Sequence, residues 1–279
     1  MKGADYISNA QNTWCPGCGN FSIQHALKDV LADLDIPREE VVIVSGIGCH
    51  AKIADYMATN SFYAIHGRGI PVATGISLGN PELTVICSAG DGDAYAEGLD
   101  HLIFAAKRNV NITVIIHDNR VYGLTTGQYT PTSRLGFAGK STPEGTREDP
   151  FNPLDLMLSS GATFIARGYS RRKKELDGVL KRAVLHHGFS FVEVLQVCAT
   201  FYDAHACYDE HVYTPDGHDL SDRLAAEQLI REWNYSGEGR IALGVLYERD
   251  APTFEDRMLA GKDGVFDRTG VIRGALEKR

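Results

Sequence analysis

The sequence predicts a doubly wound α/β fold on a mostly parallel sheet, and three observations carry that prediction. Five short runs are β-branched and apolar on both faces, as strands of a sheet covered on both sides are. Segments of helical period lie between several of them, which gives right-handed strand–helix–strand crossovers. Four of the runs end in unusual residues, at the carboxyl ends of strands where such sheets bind ligands.

The first strand is read at 41–44 and leads into Gly46-Ile47-Gly48-Cys49. The second, 83–87, leads into Gly90-Asp91-Gly92-Asp93. Ala96, Leu99, Ile103 and Ala106 then form one apolar stripe, a helix before the third strand at 112–116, which ends in Asp118-Asn119. Residues 125–152 are rich in Thr, Gly, Pro and Ser and read as a long loop, a length that is often functional. A fourth strand at 162–166 precedes a helix with Leu176, Val179, Leu180 and Ala183 on one face. The fifth, 189–194, ends in Gln196-Val197-Cys198. Beyond 200 the pattern changes. Leu220, Leu224, Ile230 and Trp233 suggest one amphipathic helix, 241–247 a strand, and a charged tail runs to Arg279. Residues 1–200 are therefore expected to form the α/β domain. Residues 201–279 are expected to be an extension packing on it or on a partner subunit. There is no internal repeat and no low-complexity segment.

A chain of 279 residues can bury one large core or two modest ones. No apolar stretch approaches the ~20 residues of a membrane span. The stretch from Met1 to Thr13 is polar and mixed in charge, with no secretory signal, so a cytoplasmic location is expected. A net charge of −8 argues against sequence-independent nucleic-acid binding. The run Arg171-Arg172-Lys173-Lys174 reads as a solvated first turn of a helix.

Asp91 and Asn119 stand 28 positions apart, so two neighbouring parallel strands can bring a carboxylate and an amide oxygen to one point. Magnesium takes six oxygens in an octahedron. Asp91 offers a charged oxygen, Asn119 a neutral one and the Val121 carbonyl a third; diphosphate oxygens and water complete the shell. The diphosphate this spacing suggests is that of thiamine. Gly90 and Gly92 allow close backbone approach. The N–H groups of Gly92 and Asp93, opening a helix at Ala94, can face the phosphates. Gly123 and Leu124 follow as further contacts. Either short signal alone is a common turn or cap; their joint position carries the reading.

Six cysteines in an intracellular chain of this length do not read as a disulfide scaffold. Cys15 and Cys18 form a C-x-x-C turned by Pro16 and Gly17, while Cys49 and Cys198 each follow a strand end on the same rim. Three readings stay open. A [4Fe–4S] cluster suits two single, distant ligands best. Structural zinc more often takes a second close pair. A thioredoxin-like redox pair would need a strand directly before Cys15. Cys87 reads as core within its strand, and Cys207 as an unassigned loop cysteine.

At this point the motifs form a pattern. Trp14-Cys15-Pro16-Gly17-Cys18-Gly19, Ser45-Gly46-Ile47-Gly48-Cys49, Ile65-His66-Gly67-Arg68, Gly90-Asp91-Gly92-Asp93 and the stretch from Asp118 to Gln128 occur in this order. In them the chain resembles the β subunit of the 2-oxoacid:ferredoxin oxidoreductases. The resemblance implies a fold of the thiamine-diphosphate-binding, pyrophosphate-domain type. It implies a [4Fe–4S] cluster on Cys15, Cys18, Cys49 and Cys198, and magnesium on Asp91, Asn119 and the Val121 carbonyl. It also implies thiamine contacts from Ile47, Gly48, Cys49, His50 and His66. The implied reaction converts a 2-oxoacid, coenzyme A and oxidised ferredoxin to an acyl-CoA, CO2 and reduced ferredoxin, reversibly.

The stretches 239–247 and 252–255 look most like the branch that makes succinyl-CoA from 2-oxoglutarate; pyruvate or broad 2-oxoacid specificity is the alternative. The run His50-Ala51-Lys52 departs from many members, which bears on the oxoacid and not on the cofactor. Lys52 is expected to bind the substrate carboxylate and His66 to donate a hydrogen bond near the adduct. A snorkelling lysine and a satisfied loop histidine are the plainer alternatives. Thiamine activation also needs a carboxylate from a second domain of the same fold, and this chain has room for only one. An α subunit, or a fused γ–α subunit, is therefore an expected partner, in a heterodimer or a dimer of heterodimers. Two other classes compete: a non-redox thiamine-diphosphate decarboxylase subunit, which needs no cluster, and a zinc-stapled scaffold module.

Overall fold

The computed structural model describes residues 2–237, 239–259 and 268–277. Its strands are β1 (Val41–Ser45), β2 (Asn60–Tyr63), β3 (Thr84–Gly90), β4 (Thr113–Asp118), β5 (Val121–Tyr122), β6 (Gln128–Tyr129), β7 (Phe164–Tyr169), β8 (Ser190–Leu195), β9 (Val212–Tyr213), β10 (Ile241–Ala242) and β11 (Gly244–Glu248). Its α-helices are α1 (Asn20–Asp33), α2 (Ile53–Tyr56), α3 (Gly69–Gly79), α4 (Leu99–Arg108), α5 (Pro153–Ser160), α6 (Lys173–Leu185), α7 (His205–His211), α8 (Arg223–Arg231), α9 (Phe254–Leu259) and α10 (Arg268–Glu277).

Seven strands form one sheet in the order β11-β7-β8-β4-β3-β1-β2. Every pair in it is parallel except β11 with β7. Alternate side chains of each inner strand serve opposite cores. Ile43, Ile115 and Val192 pack with Ile23 and Leu27 of α1 and Leu176 and Leu180 of α6. Val44, Val114 and Phe191 pack on the other face with Ala73 of α3, Leu102 of α4, Leu154 of α5 and Ile230 of α8. Helices on both faces of a mostly parallel sheet are the doubly wound architecture expected from the strand patterning. No helix among the described residues is long and apolar enough to cross a membrane.

Several boundaries move, each for a physical reason. The fourth strand runs on to Tyr169, because Arg167 is fully buried and pairs with Glu193 on β8 instead of ending the strand. A π-helical turn at Asp93–Glu97 precedes α4. Its wider winding re-phases the helix, so Leu102, Ala105 and Ala106 face the core and Ala96 is exposed. The helix beyond residue 220 is shorter than its apolar positions suggest: α8 buries Ala226 and Ile230, Leu224 is exposed, and Trp233 is buried beyond the helix end. The strand read at 241–247 divides into β10 and β11, parted by Leu243. The long loop at 125–152 contains β6, which pairs antiparallel with β5. Of the charged tail, 260–267 and the last two residues lie outside the described residues.

Candidate functional site

Because β3 and β4 are parallel neighbours, with Gly90 opposite His117, the residues just past their ends meet. Asp91 is buried there, and its Oδ2 accepts from the Thr132 hydroxyl at 3.0 Å. The same hydroxyl lies 2.9 Å from Asp118 Oδ1. One O–H proton cannot serve both carboxylates. Burial pushes Asp91 up to about 6, although the Thr130 and Thr132 hydroxyls pull the other way. Burial, and then the charge of Asp91, raises Asp118 well above the carboxylate range. Asp118 Oδ2 has no hydrogen-bond partner. Asp118 Oδ1 also accepts from the Arg120 N–H at 3.1 Å, but these donors carry no full positive charge, and the hard oxygens of a buried acidic pair fit a divalent cation such as magnesium.

Asn119 lines the same cavity as Asp91. Its Nδ2 donates to Gln196 Oε1 at 3.1 Å, and its Oδ1 accepts from the Val121 N–H at 3.0 Å. Arg120, with φ of 61°, throws the chain through the left-handed region so that Val121 returns to the same cavity. The cavity, about 80 Å³, is lined by Ile47, Gly48, Cys49, His50, His66, Asp91, Gly92, Asp93, Asn119, Val121, Gly123 and Leu124, among others. Two glycines make the close approach possible. A Cβ at Gly90 would stand 2.8 Å from the His50 ring, and one at Gly92 would stand 2.4 Å from the Tyr122 ring. Asp93 faces two histidines: His66 Nδ1 at 2.7 Å and His50 Nε2 at 3.4 Å, both outside good hydrogen-bond geometry. Burial works to raise the Asp93 carboxyl, but His50, the Gly67 N–H and His66 outweigh it and hold it below its usual value.

The four candidate cluster cysteines line a second cavity of about 50 Å³. Cys18 N–H donates to the Cys15 carbonyl at 3.1 Å, closing the C-x-x-C turn, and the Trp14 indole N–H holds the Cys49 carbonyl at 2.7 Å. A Cβ on Gly123 would be 3.6 Å from Cys49 Sγ and 3.8 Å from Cys198 Sγ. Burial pushes the Cys18 thiol up to about 11, with smaller contributions from Cys49, Cys198 and Cys15. Cys49 is raised by burial too, against the pull of Lys52. A positively charged centre in this cavity would favour the thiolate form of Cys18 and Cys49, which burial opposes. Cys49, Asn119 and Gly123 line both cavities, so one wall divides them.

Residues 46–194 match the model for the thiamine pyrophosphate enzyme C-terminal TPP-binding domain. Residues 198–263 match the model for the C-terminal region of the pyruvate ferredoxin oxidoreductase β subunit. A 2-oxoacid:ferredoxin oxidoreductase subunit β of a Sulfolobus species is 40% identical over 271 residues, covering 92% of this chain and 89% of that protein. The chain belongs to the 2-oxoacid:ferredoxin oxidoreductase β-subunit family. The 2-oxoglutarate oxidoreductase subunit KorB of Mycobacterium tuberculosis is 44% identical over 203 residues, covering 73% of this chain and 54% of that protein. The solved structure of a 2-oxoglutarate:ferredoxin oxidoreductase from Magnetococcus marinus, with 2-oxoglutarate, coenzyme A and succinyl-CoA bound, aligns with a TM-score of 0.90. It is 37% identical, and the alignment covers 99% of this chain and 96% of that one.

Within this β-subunit fold the remaining candidates fall as follows. Lys52 lines the thiol cavity, and its Nζ donates to Thr13 Oγ1 at 2.9 Å. His66 borders the first cavity, partly exposed. Cys87 is buried within β3, while Cys207 lies exposed on helix α7 and not in a loop. Among the described residues, no three His, Cys, Asp or Glu side chains crowd one point closely enough to hold a single ion. A wider cavity of about 460 Å³ is lined by Arg120 and the rings of Tyr202, Trp233 and Tyr235. Asp203 and Cys207 line it too, but none of Asp91, Asn119, Val121 or the four candidate cluster cysteines does. Of the two further residues hydrogen-bonded to these candidates, Thr132 escapes sequence reading, and Gln196 is read only as part of a ligand-facing strand end with no role of its own. Thr132 sits in the long Thr-rich loop, where nothing singles it out. Gln196 stands at a strand end, a position that does signal a site.

Proposed function

We propose that this chain is the thiamine-diphosphate half of an enzyme that oxidises 2-oxoglutarate to succinyl-CoA with ferredoxin as acceptor, and runs the reverse reaction at the same site. The observation that carries the reading is the shared wall: the oxygen cavity and the four-cysteine cavity meet at Cys49, Asn119 and Gly123. When bound, thiamine diphosphate supplies an electron sink for decarboxylation, and a [4Fe–4S] cluster accepts electrons singly.

Asp91, Asn119 and the Val121 carbonyl hold magnesium and, through it, the diphosphate. The Gly92 and Asp93 N–H groups face the phosphates. Ile47, Gly48, His50, His66, Gly123 and Leu124 wall in the thiamine. Cys15, Cys18, Cys49 and Cys198 hold the cluster. A polynuclear cluster gives each thiolate its own iron, which suits four sulfurs spread around a cavity better than one zinc ion does. Lys52, the cation on that rim, binds the substrate carboxylate, and His66 donates a hydrogen bond to the reacting substrate. An α subunit supplies the carboxylate that activates the thiamine, and coenzyme A takes the acyl group. The 2-oxoglutarate assignment draws on the KorB relatives and on the ligands of the Magnetococcus structure.

The test is co-purification with the α subunit. The complex is expected to be brown and to reduce a one-electron dye with 2-oxoglutarate and coenzyme A, and poorly with pyruvate. A colourless complex that decarboxylates without reducing the dye would replace this reading with the non-redox one.

A further inference from the structure

Gln196 follows β8 at the wall between the two cavities, and its side chain touches both ligand sets. Its Oε1 accepts from Asn119 Nδ2 at 3.1 Å. Its Nε2 carries two hydrogens; one goes to the Val197 carbonyl at 2.8 Å and the other to the Cys18 sulfur at 3.6 Å. The residue is 1% exposed, so these partners do not exchange with solvent. Its N–H donates to the Asp118 carbonyl at 2.9 Å, which ties the end of β8 to the end of β4. A Cβ on Gly19 would stand 2.9 Å from Gln196 Cγ, so that glycine lets the stem lie against the start of α1.

The partners fix which way the amide faces. Reversed, its NH2 would meet the NH2 of Asn119, and its oxygen would meet the Val197 carbonyl. The same bond fixes Asn119: with Nδ2 committed to Gln196, Oδ1 keeps one lone pair beyond that used by the Val121 N–H.

We infer that Gln196 is a positioning residue serving both centres at once: it turns the Asn119 oxygen toward the metal and donates an N–H to a cluster sulfur. The inference rests on the cofactor reading above. An N–H···S bond stabilises the more negative, reduced cluster and so raises its potential. Orienting partners of metal ligands commonly change metal affinity 10–100-fold. A side chain that merely filled space would move neither quantity.

The test uses the iron-loaded complex with its α subunit. Gln196→Met keeps the volume and removes the amide. It is expected to lower the cluster midpoint by about tenfold in the one-electron equilibrium, about 59 mV. It is also expected to raise the magnesium concentration needed for thiamine diphosphate binding by about 10–100-fold. Gln196→Glu still accepts from Asn119 but gives the sulfur no N–H. It lowers the potential and leaves the magnesium requirement nearly unchanged, a split that packing cannot produce. An iron-loaded Gln196→Met complex with wild-type potential and wild-type magnesium requirement overturns the inference. If Gln196→Met does not assemble, an unchanged potential in iron-loaded Gln196→Glu overturns it. A wild-type complex without iron overturns the cluster reading and this inference together.

Discussion

The Thr132 hydroxyl stands between two buried carboxylates and can donate to only one of them. On the proposed reading a cation bound by Asp91 would relieve that shortage, and Thr132 would then orient the carboxylate that holds it. Thr132→Val keeps the shape and removes the proton. It should weaken magnesium-dependent thiamine diphosphate binding by about 10–100-fold while leaving cluster iron intact. Calorimetric titration with unchanged affinity would separate Thr132 from the site. Lys52 is the cation of the thiol rim, and Lys52→Ala should raise the KM for the oxoacid by roughly tenfold or more, the worth of a charged hydrogen bond. An unchanged KM would leave Lys52 as a partner of Thr13 alone. The two residues differ in how visible they are. Asp91, Asn119, Cys49 and Cys198 stand out as candidates because several strand ends carry Gly, Asp, Asn or Cys together, and Cys15 and Cys18 because they form a C-x-x-C. Thr132 acts across 41 positions of chain, and a threonine in a Thr-rich loop looks like any other.

The strands of the inner sheet are legible because both faces of each are apolar. Reading falters where an element breaks that rule. β2, with its Asn and Ser, lies exposed on the sheet edge and carries no such pattern. β7 continues through Arg167 because Glu193 Oε2 accepts from its Nε at 2.8 Å, and the Tyr235 hydroxyl contacts both side chains. Both ionic groups are fully buried. Glu193→Ala strands the guanidinium and should cost about 3–5 kcal/mol, whereas Arg167→Met with Glu193→Leu should recover much of it. Denaturant midpoints of the three variants decide; a Glu193→Ala loss within the ordinary range of surface changes would deny the pair its role. At the end of α6, burial holds His186 below its usual value despite the attraction of Glu248. The unfolded chain, with a histidine pKa of about 6.5, therefore takes up the proton first. Stability from the neutral ring is present above that pH and drains away as pH falls below it. Melting temperatures from pH 7.5 to 5.5, round values spanning that pKa, should drop more for wild type than for His186→Gln; parallel slopes would contradict the assignment.

At the scale of the molecule, the rim of the first cavity carries exposed apolar side chains. Ile47 and Leu124 line the first cavity yet are 40% and 47% exposed, and Ile65, next to His66, is 75% exposed. Phe62 and Tyr63 on β2 are exposed as well. An active site that must exclude water cannot function with such a margin bare. On the proposed reading the α subunit brings the thiamine-activating carboxylate, and the same subunit would cover this margin. Ile65→Asp tests it, since a charge at an exposed position should change the stability of the isolated chain by no more than about 0.5 kcal/mol. A charge buried at a subunit interface, by contrast, should weaken assembly with the α subunit and reduce turnover in proportion to the complex lost. The isolated chain should show no turnover of 2-oxoglutarate at any thiamine diphosphate concentration, and titration with α subunit should restore it to a stoichiometric end point. Turnover by the chain alone, or normal assembly of Ile65→Asp, would mean that the rim is closed in some other way.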